Sequence, residues 1–327
     1  MNKLMMNRLH ELMVPPSDMS KPALFITNDD GIEAPGIQEL IRQLNIEGFP
    51  LFVLAPSTEQ SATGMRISVR KKLKVKNRQD IADKLQSDER IPLKIYSLDG
   101  SPCDCVIAAL DGGISMLEPD LMPTMCISGV NQGPNISVDI MHSGTVSAAR
   151  ESALYGLPSI AVSLATYEHS NFEYSVQGAI KIMKSCLNFL PKVPSDFLRK
   201  NGSKSVMVLN SSLESIRNNF ALGNIFLNLN APVRWNGDYN TVSLGSRWYR
   251  NAIKSHDLDD GSMAFEVGAA EIVEEEIPGT DCFSVNSAEY AISPLSSWPV
   301  NHPLGITREV LDAATKSDEN GLPYWLS

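Results

Sequence analysis

The stretch Ala23-Leu-Phe-Ile-Thr-Asn-Asp-Asp-Gly31 decides the fold. A run suited to a buried strand passes directly into Asn28, Asp29, Asp30 and Gly31, residue types that shape turns. Unbroken apolar runs of this kind suit a parallel sheet covered on both faces. Two neighbouring carboxylates then stand where the strand ends, and open α/β sheets bind ligands beyond the carboxyl ends of their strands. Hard divalent cations take carboxylate and carbonyl oxygens. The stretch predicts a cation anchor for a phosphate-bearing substrate. The plain alternative is a turn shaped by Asn28 or Asp30.

Outward from this stretch, strand-like and helix-like runs alternate. Pro35 suits the first turn of a helix. Ile37, Leu40, Ile41 and Leu44 form one apolar stripe, and Gly48 closes the unit. Leu51–Ala55 is a second strand, followed by the polar loop Pro56–Gly64. Leu73 and Val75 alternate with Lys72, Lys74 and Lys76, which predicts a half-buried strand over Ile67–Lys76 with a basic outer face. Asn77–Arg90 is polar and reads as an insertion or mobile loop, and Ile91–Leu98 as a strand. Ser101-Pro102 with Asp104 resembles a capping box opening a helix to about Leu110. Further strands are predicted at Pro123–Ser128, Ser159–Leu164 and Ser205–Leu209, and helices at Val146–Tyr155 and Phe172–Leu190. After about Phe226 only short β-like segments appear (Asn240–Leu244, Met263–Val267, Tyr290–Ser293), and Glu274-Glu275-Glu276 reads as a solvated run. The fold class is α/β with a mostly parallel sheet.

The chain has 327 residues, 43% of them hydrophobic, enough for a sizeable core. A net charge of −10 argues against a nucleic-acid polymer as main partner. Five cysteines in a long chain are not a disulfide framework, so reduced thiols and a cytoplasmic location are expected. Residues 1–21 carry Lys3 and Arg8 without an apolar stretch. They read as a loosely ordered extension, neither signal peptide nor membrane span.

In a parallel sheet all carboxyl strand ends lie on one edge. The loops Asn28–Gly31, Ser57–Gly64 and Gly129–Thr145 should therefore meet. They offer Asp29 and Asp30; Ser61 and Thr63; and Asn131, Asn135 and Ser143-Gly144-Thr145 at a helix start. Free N–H groups at a helix start hold anions. A cation beside such a start suits phosphoryl chemistry. Taken singly, Ser143-Gly144-Thr145 reads as an ordinary N-cap, Asn131 and Asn135 as turn formers, and Ser61 and Thr63 as loop polarity. No G-x-x-x-x-G-K-[ST], G-x-G-x-x-G or G-x-S-x-G motif occurs, and no histidine pair has helical zinc spacing. His142 is a candidate general acid or simply a polar surface residue. Arg66, Arg70, Lys71, Lys72, Lys74 and Lys76 either draw in an anionic substrate or form a solvated face.

These residues carry a family resemblance. Thr27-Asn-Asp-Asp-Gly-Ile-Glu-Ala-Pro-Gly36 and Ala55-Pro-Ser-Thr-Glu-Gln-Ser-Ala-Thr-Gly64 resemble motifs of the SurE survival-protein family of nucleotidases. Asp99-Gly-Ser-Pro-Cys-Asp-Cys105 is similar to its D-G-T-P-A-D-C. Ser128-Gly-Val-Asn-Gln-Gly-Pro-Asn135, Ser143-Gly-Thr-Val-Ser-Ala-Ala-Arg-Glu151, and Gly279-Thr-Asp281 with Ser293-Pro-Leu295 complete the set in order, from about Lys21 to Pro299.

The resemblance implies a Rossmann-like three-layer α/β/α sandwich with a C-terminal β-rich oligomerisation arm, here about 240–301. The single domain then spans 22–301, followed by a tail at 302–327. It implies a metal-dependent hydrolase of nucleoside 5′- and 3′-monophosphates, with short polyphosphate as a further substrate and a homodimer or homotetramer as the assembly. By the resemblance, Asp29, Asp30, Ser61 and Asn131 hold one Mg²⁺ or Mn²⁺ per subunit. Asn135, Ser143, Gly144 and Thr145 border the phosphate. Asp29, Asp30, Asn135 and Ser143 are the expected catalytic residues. A metal-activated water is the expected nucleophile, with Asp29 or Asp30 as base or nucleophile in alternative routes. Where the family has His-Ser after Ser61-Ala-Thr-Gly64, this chain has Met65-Arg66. His142 replaces an aromatic residue. The rival expectations are a nucleotide-binding or sensing protein without turnover, and a scaffold acting through its arm.

Overall fold

The computed structural model describes residues 21–168, 171–191, 211–268 and 271–327. The extension at 1–20 and the strand expected at Ser205–Leu209 lie outside them.

The first strand, β1, runs Ala23–Thr27 and is buried along its whole length. Chain direction then drives the architecture. Helix α1 (Pro35–Ile46) carries Pro35 in its first turn and ends ahead of Gly48, whose φ is +82°. Strand β2 (Leu51–Pro56) pairs parallel with β1, Leu24 against Leu51. Strand β3 is only Val75–Asn77, helix α2 is Gln79–Leu85, and β4 is Leu93–Leu98. Helix α3 (Pro102–Ala108) precedes β5 (Pro123–Gln132), helix α4 (Gly144–Leu154) and β6 (Ser159–Leu164). Helices α5 (Glu173–Leu187) and α6 (Leu213–Ala221) lead to β7 (Ile225–Ala231).

The strands of the C-terminal part are β8 (Tyr239–Thr241), β9 (Arg247–Arg250), β10 (Ile253–Asp257), β11 (Met263–Val267) and β12 (Glu271–Glu274). Helix α7 (Asp281–Asn286), β13 (Tyr290–Ser296) and helix α8 (Arg308–Ala314) follow.

The central sheet has nine strands in the order β3-β4-β2-β1-β5-β6-β7-β13-β8. From β4 to β7 every pairing is parallel, while β3 and β13 run antiparallel to their neighbours β4 and β7. The chain winds from β1 outward through β2 to β4, then returns to place β5 on the other side of β1. The point between β1 and β5 is the topological switch, where such sheets bind ligands. Alternate residues of β1 enter opposite layers. Leu24 and Ile26 pack with Ile37 and Leu40 of α1 and Val176 and Ile182 of α5. Phe25 packs with Phe52, Val106 of α3 and Ala148 of α4. The result is the expected three-layer sandwich, in which each buried large apolar side chain contributes roughly 1.5–3 kcal/mol.

Several local expectations are corrected. No strand covers Ile67–Lys76: only Val75–Asn77 pairs, and all three residues of β3 are exposed. Leu73 alone leans on the core, so the alternation marks an extended ledge rather than a half-buried strand. Within the stretch read as a loop, Asn77–Arg90, lies α2, because Ile81, Ala82 and Leu85 form a short apolar stripe that is buried. Tyr290–Ser296 belongs to the central sheet, and the exposed ribbons β9–β12 and β10–β11 occupy 247–274. Residues set aside as a tail include α8 and Trp325, which is fully buried against Phe220 with ring centroids 5.3 Å apart.

Candidate functional site

The carboxyl ends of β1, β2, β5 and β6 open on one edge, and the three polar loops meet there. Asp29, Ser61, Asn131, Asn135, His142 and Ser143 line one cavity of about 460 Å³, within the range of small-molecule sites. Asp30 faces an adjoining pocket with Ser61 and Gln132. A larger groove of 830 Å³ between α1 and α5 is lined by charges that pair with each other, Arg42 with Glu39 and Lys184 with Glu47, and no strand end reaches it.

Asp29 is the most constrained group. One carboxylate oxygen accepts from Thr145 N at 3.0 Å and the other from the Thr145 hydroxyl. Burial pushes its pKa up, and the Thr145 hydroxyl, then the Thr145 and Gly144 main chains, oppose that rise. The start of α4 therefore spends its free N–H groups on Asp29. A carboxylate is favoured there by the helix dipole. This modifies the expected phosphate contact at Gly144 and Thr145: Thr145 is fully buried and holds Asp29. Gly144 has no room for a side chain, since a Cβ there would lie 2.7 Å from the Asp29 Cβ. Ser143 caps the helix by accepting from Val146 N at 3.0 Å, which leaves its hydroxyl proton free to donate.

Among the described residues Asp30 accepts from Gln132 N, at 3.0 Å. Burial first, and Asp29 beside it second, push its pKa up to about 7. The amide of Asn131 donates to Gly133 O at 2.8 Å, so its side-chain oxygen is turned away from that bond and accepts none among the described residues. Ser61 donates to Glu59 at 2.8 Å. Two desolvated carboxylates, an amide oxygen and a hydroxyl make an all-oxygen donor set, and no Lys or Arg pairs with either Asp among the described residues. That set fits a hard divalent cation, which would relieve the mutual repulsion of the carboxylates.

Asn135 is locked by residues that the sequence reading missed. Its N–H donates to Asn230 at 2.8 Å and its carbonyl accepts from Asn228 and Asn230, at 2.8 and 3.0 Å. Its side-chain amide donates to Ser163 at 2.8 Å, leaving a second N–H. Asn228 and Asn230 alternate on buried β7, a signal visible as polar residues inside an apolar run. Asp281 accepts from Ser137 N at 2.9 Å and Gly245 N at 2.6 Å, tying the loop after Asn135 to the base of the ribbons. The capping box at α3 is present: Asp104 accepts from Ser101 N and Ser68 N, both at 2.8 Å, and Ser101 donates to Arg66 O at 2.5 Å. It pins the chain just beyond Gly64. Arg66 itself donates to Gln60 at 2.7 Å, and the His142 carbonyl accepts from Gly64 N. Tyr167 and Tyr249, also unforeseen, complete the cavity.

The switch-point position and its adjacent carboxylates, Asp29 buried and Asp30 half-buried, define a doubly wound α/β protein with a cation-suited ligand site. The chain matches the model of the family described as Survival protein SurE over residues 24–254. It belongs to the SurE family. It is 30% identical over 277 residues to the 5′-nucleotidase SurE of Natranaerobius thermophilus, covering 83% of this chain and 92% of that protein. With the 5′-nucleotidase SurE of Pelobacter propionicus it shares 32% over 274 residues, with the same coverages. The solved SurE protein from Aquifex aeolicus superimposes with a TM-score of 0.60 at 25% identity, over 86% of this chain and 95% of that one.

Proposed function

We propose that this chain is a metal-dependent phosphomonoesterase that hydrolyses nucleoside 5′-monophosphates, and 3′-monophosphates with them, to nucleoside and phosphate. The name of its relatives, 5′-nucleotidase SurE, supports the reaction. The observation that carries the reading is the pair Asp29 and Asp30 beside the free amide oxygen of Asn131 at the switch point. Asp29, Asp30, Ser61 and Asn131 would hold one Mg²⁺ or Mn²⁺, which supplies charge neutralisation to the phosphate and acidifies water at the site.

The protein's own groups do the rest. Thr145 fixes the Asp29 carboxylate, so the acid group facing the cavity is preorganised. Asp30 carries either a proton or a share of a cation, because a half-buried carboxylate beside the buried Asp29 resists a joint negative charge. The Ser143 hydroxyl and the second N–H of Asn135 are placed to donate to phosphate oxygens. Short polyphosphate, made of the same phosphate units, belongs to this substrate class.

The exposed apolar face of the β10–β11 ribbon supports a homodimer or homotetramer. The five cysteines are buried and free, in keeping with a reducing, cytoplasmic setting. No helix among the described residues is long and apolar enough to cross a membrane.

Phosphate release from AMP, followed with and without chelator, tests the reading. Turnover abolished by chelator and restored by Mg²⁺ or Mn²⁺ is the expected outcome. Turnover indifferent to chelator removes the metal, and saturable AMP binding without release replaces the enzyme by a sensor.

A further inference from the structure

Beside its polar groups the cavity is lined by two aromatic rings, Tyr167 and Tyr249, which the phosphate reading leaves without a role. Tyr167 follows β6 and is 63% exposed. Its ring packs close to Gly133: a Cβ there would meet the Tyr167 Cε1 at 2.8 Å. Its carbonyl accepts from the Gln132 side chain at 3.2 Å, so the segment is tied to the same loop that carries Asn131 and Asn135. Tyr249 on β9 is 38% exposed and its hydroxyl donates to Asp139. Asp139 also accepts from Arg247 Nη1 at 2.8 Å, which fixes the position of the Tyr249 hydroxyl; the Arg247 guanidinium lies over the ring, 5.6 Å from its centroid, and the ring lines the cavity. Ala252, Val267 and Gly268 continue the wall without any charge.

We propose that Tyr167 and Tyr249 are the walls of a nucleobase subsite, and that they make this site select nucleotides over phosphate esters that lack a flat aromatic group. The inference rests on the phosphomonoesterase reading and adds its specificity. The chemistry is that of a π-face meeting a π-face. Bases stack on aromatic side chains whatever their sequence identity. A tyrosine whose hydroxyl is engaged elsewhere offers a ring already held in place, so little rotamer freedom is lost on binding. The wall is contributed partly by the β9 ribbon, so the C-terminal region shapes selectivity while the strand tips of the sheet hold the phosphate.

The test compares kcat/KM for AMP and for ribose 5-phosphate, the same phosphate and sugar without a base, using the full-length protein with Mg²⁺ or Mn²⁺. The ratio of AMP to ribose 5-phosphate is expected to fall roughly ten-fold in Tyr167→Leu, through KM for AMP, and to return in Tyr167→Phe. Tyr249→Phe, which keeps the ring and drops the hydroxyl, is expected to retain the ratio. Tyr249→Leu is expected to lose it. An unchanged ratio in both leucine variants, or equal losses on both esters, overturns the subsite. If the unaltered protein hydrolyses neither ester, the phosphatase reading falls instead. Calorimetric AMP affinity of the same variants then decides the walls, equal affinities overturning them.

Discussion

Thr145 illustrates what a single residue does here. Both of its polar hydrogens go to Asp29, so the side chain acts on the site through a carboxylate and not by touching substrate. Partners that orient a metal-ligating group typically carry a 10–100-fold effect. Thr145→Val, which keeps shape and loses the hydroxyl, is expected to weaken Mn²⁺ binding by roughly that factor, measured by calorimetry on the folded protein. An unchanged affinity would mean that Asp29 is held by the main chain alone.

Asp104 gives a stability counterpart. Its carboxylate caps α3 and receives Ser68 N, and these hydrogen bonds hold its pKa below the usual value although burial opposes them. A depressed folded pKa means stability that is present above the unfolded value and lost as pH falls through the folded one. Asp104→Ala is expected to cost about 1–2 kcal/mol in urea unfolding at neutral pH. The difference from the unaltered protein should shrink in acid below about pH 4. A constant difference across that range would exclude a carboxylate role.

Asp29, Asp30, Asn131 and Asn135 were legible in the sequence because each stands where an apolar run stops. Tyr167 and Asp139 were not: Tyr167 follows β6 without a motif of turn residues, and nothing in the loop Gly129–Thr145 set Asp139 apart from its neighbours.

Among the elements, α4 and the β10–β11 ribbon teach opposite lessons. A run of small residues after Ser143-Gly144 announces a helix packed tightly on the sheet, and Gly144–Leu154 is that helix. The donors at its start were expected to meet an anion from outside. They meet Asp29, an anion of the protein itself, because β1 and β5 stop beneath them. Strand Met263–Val267 was legible to the residue, yet its partner was not, for β10 carries Lys, Ser, His and Asp. In this ribbon Ile253, Met263, Phe265 and Val267 fall on one face by their cross-strand register, and all are more than half exposed. That face, shared with Ser255 and Asp257, is where the proposed subunit contact would lie. Phe265→Glu is expected to lower the oligomeric state seen by sedimentation while circular dichroism stays that of the folded protein. An unaltered sedimentation profile would place the contact elsewhere.

The sheet as a whole was readable in its parallel half and obscure beyond β6. Continuous apolar runs fixed β1, β2, β5 and β6. Asn228 and Asn230 broke the apolar signal of β7, and β13 was legible only as the short segment Tyr290–Ser293, without its antiparallel place beside β7. The C-terminal stretch looked detachable because it is short and polar. Its weight lies in one residue: Trp325 fills the core beside Phe220 and Phe189 and donates to Ala314 O at 3.0 Å, while Arg217 donates to its carbonyl. Trp325→Ala is expected to cost about 3–5 kcal/mol in chemical denaturation. A loss under about 1 kcal/mol would show that the stretch is an appendage after all.

The cavity draws on groups from Asp29 to Gly268, the largest share of them from the stretch Asn131–Ser143. Occupancy is thus a statement about assembly: a fragment that has lost either end of this span has no pocket to fill. A bound molecule stitches the earliest strand to the last ribbon and raises the melting point of everything between by simple mass action. Thermal protection by a ligand therefore serves as a gauge of whether newly made chains have closed completely.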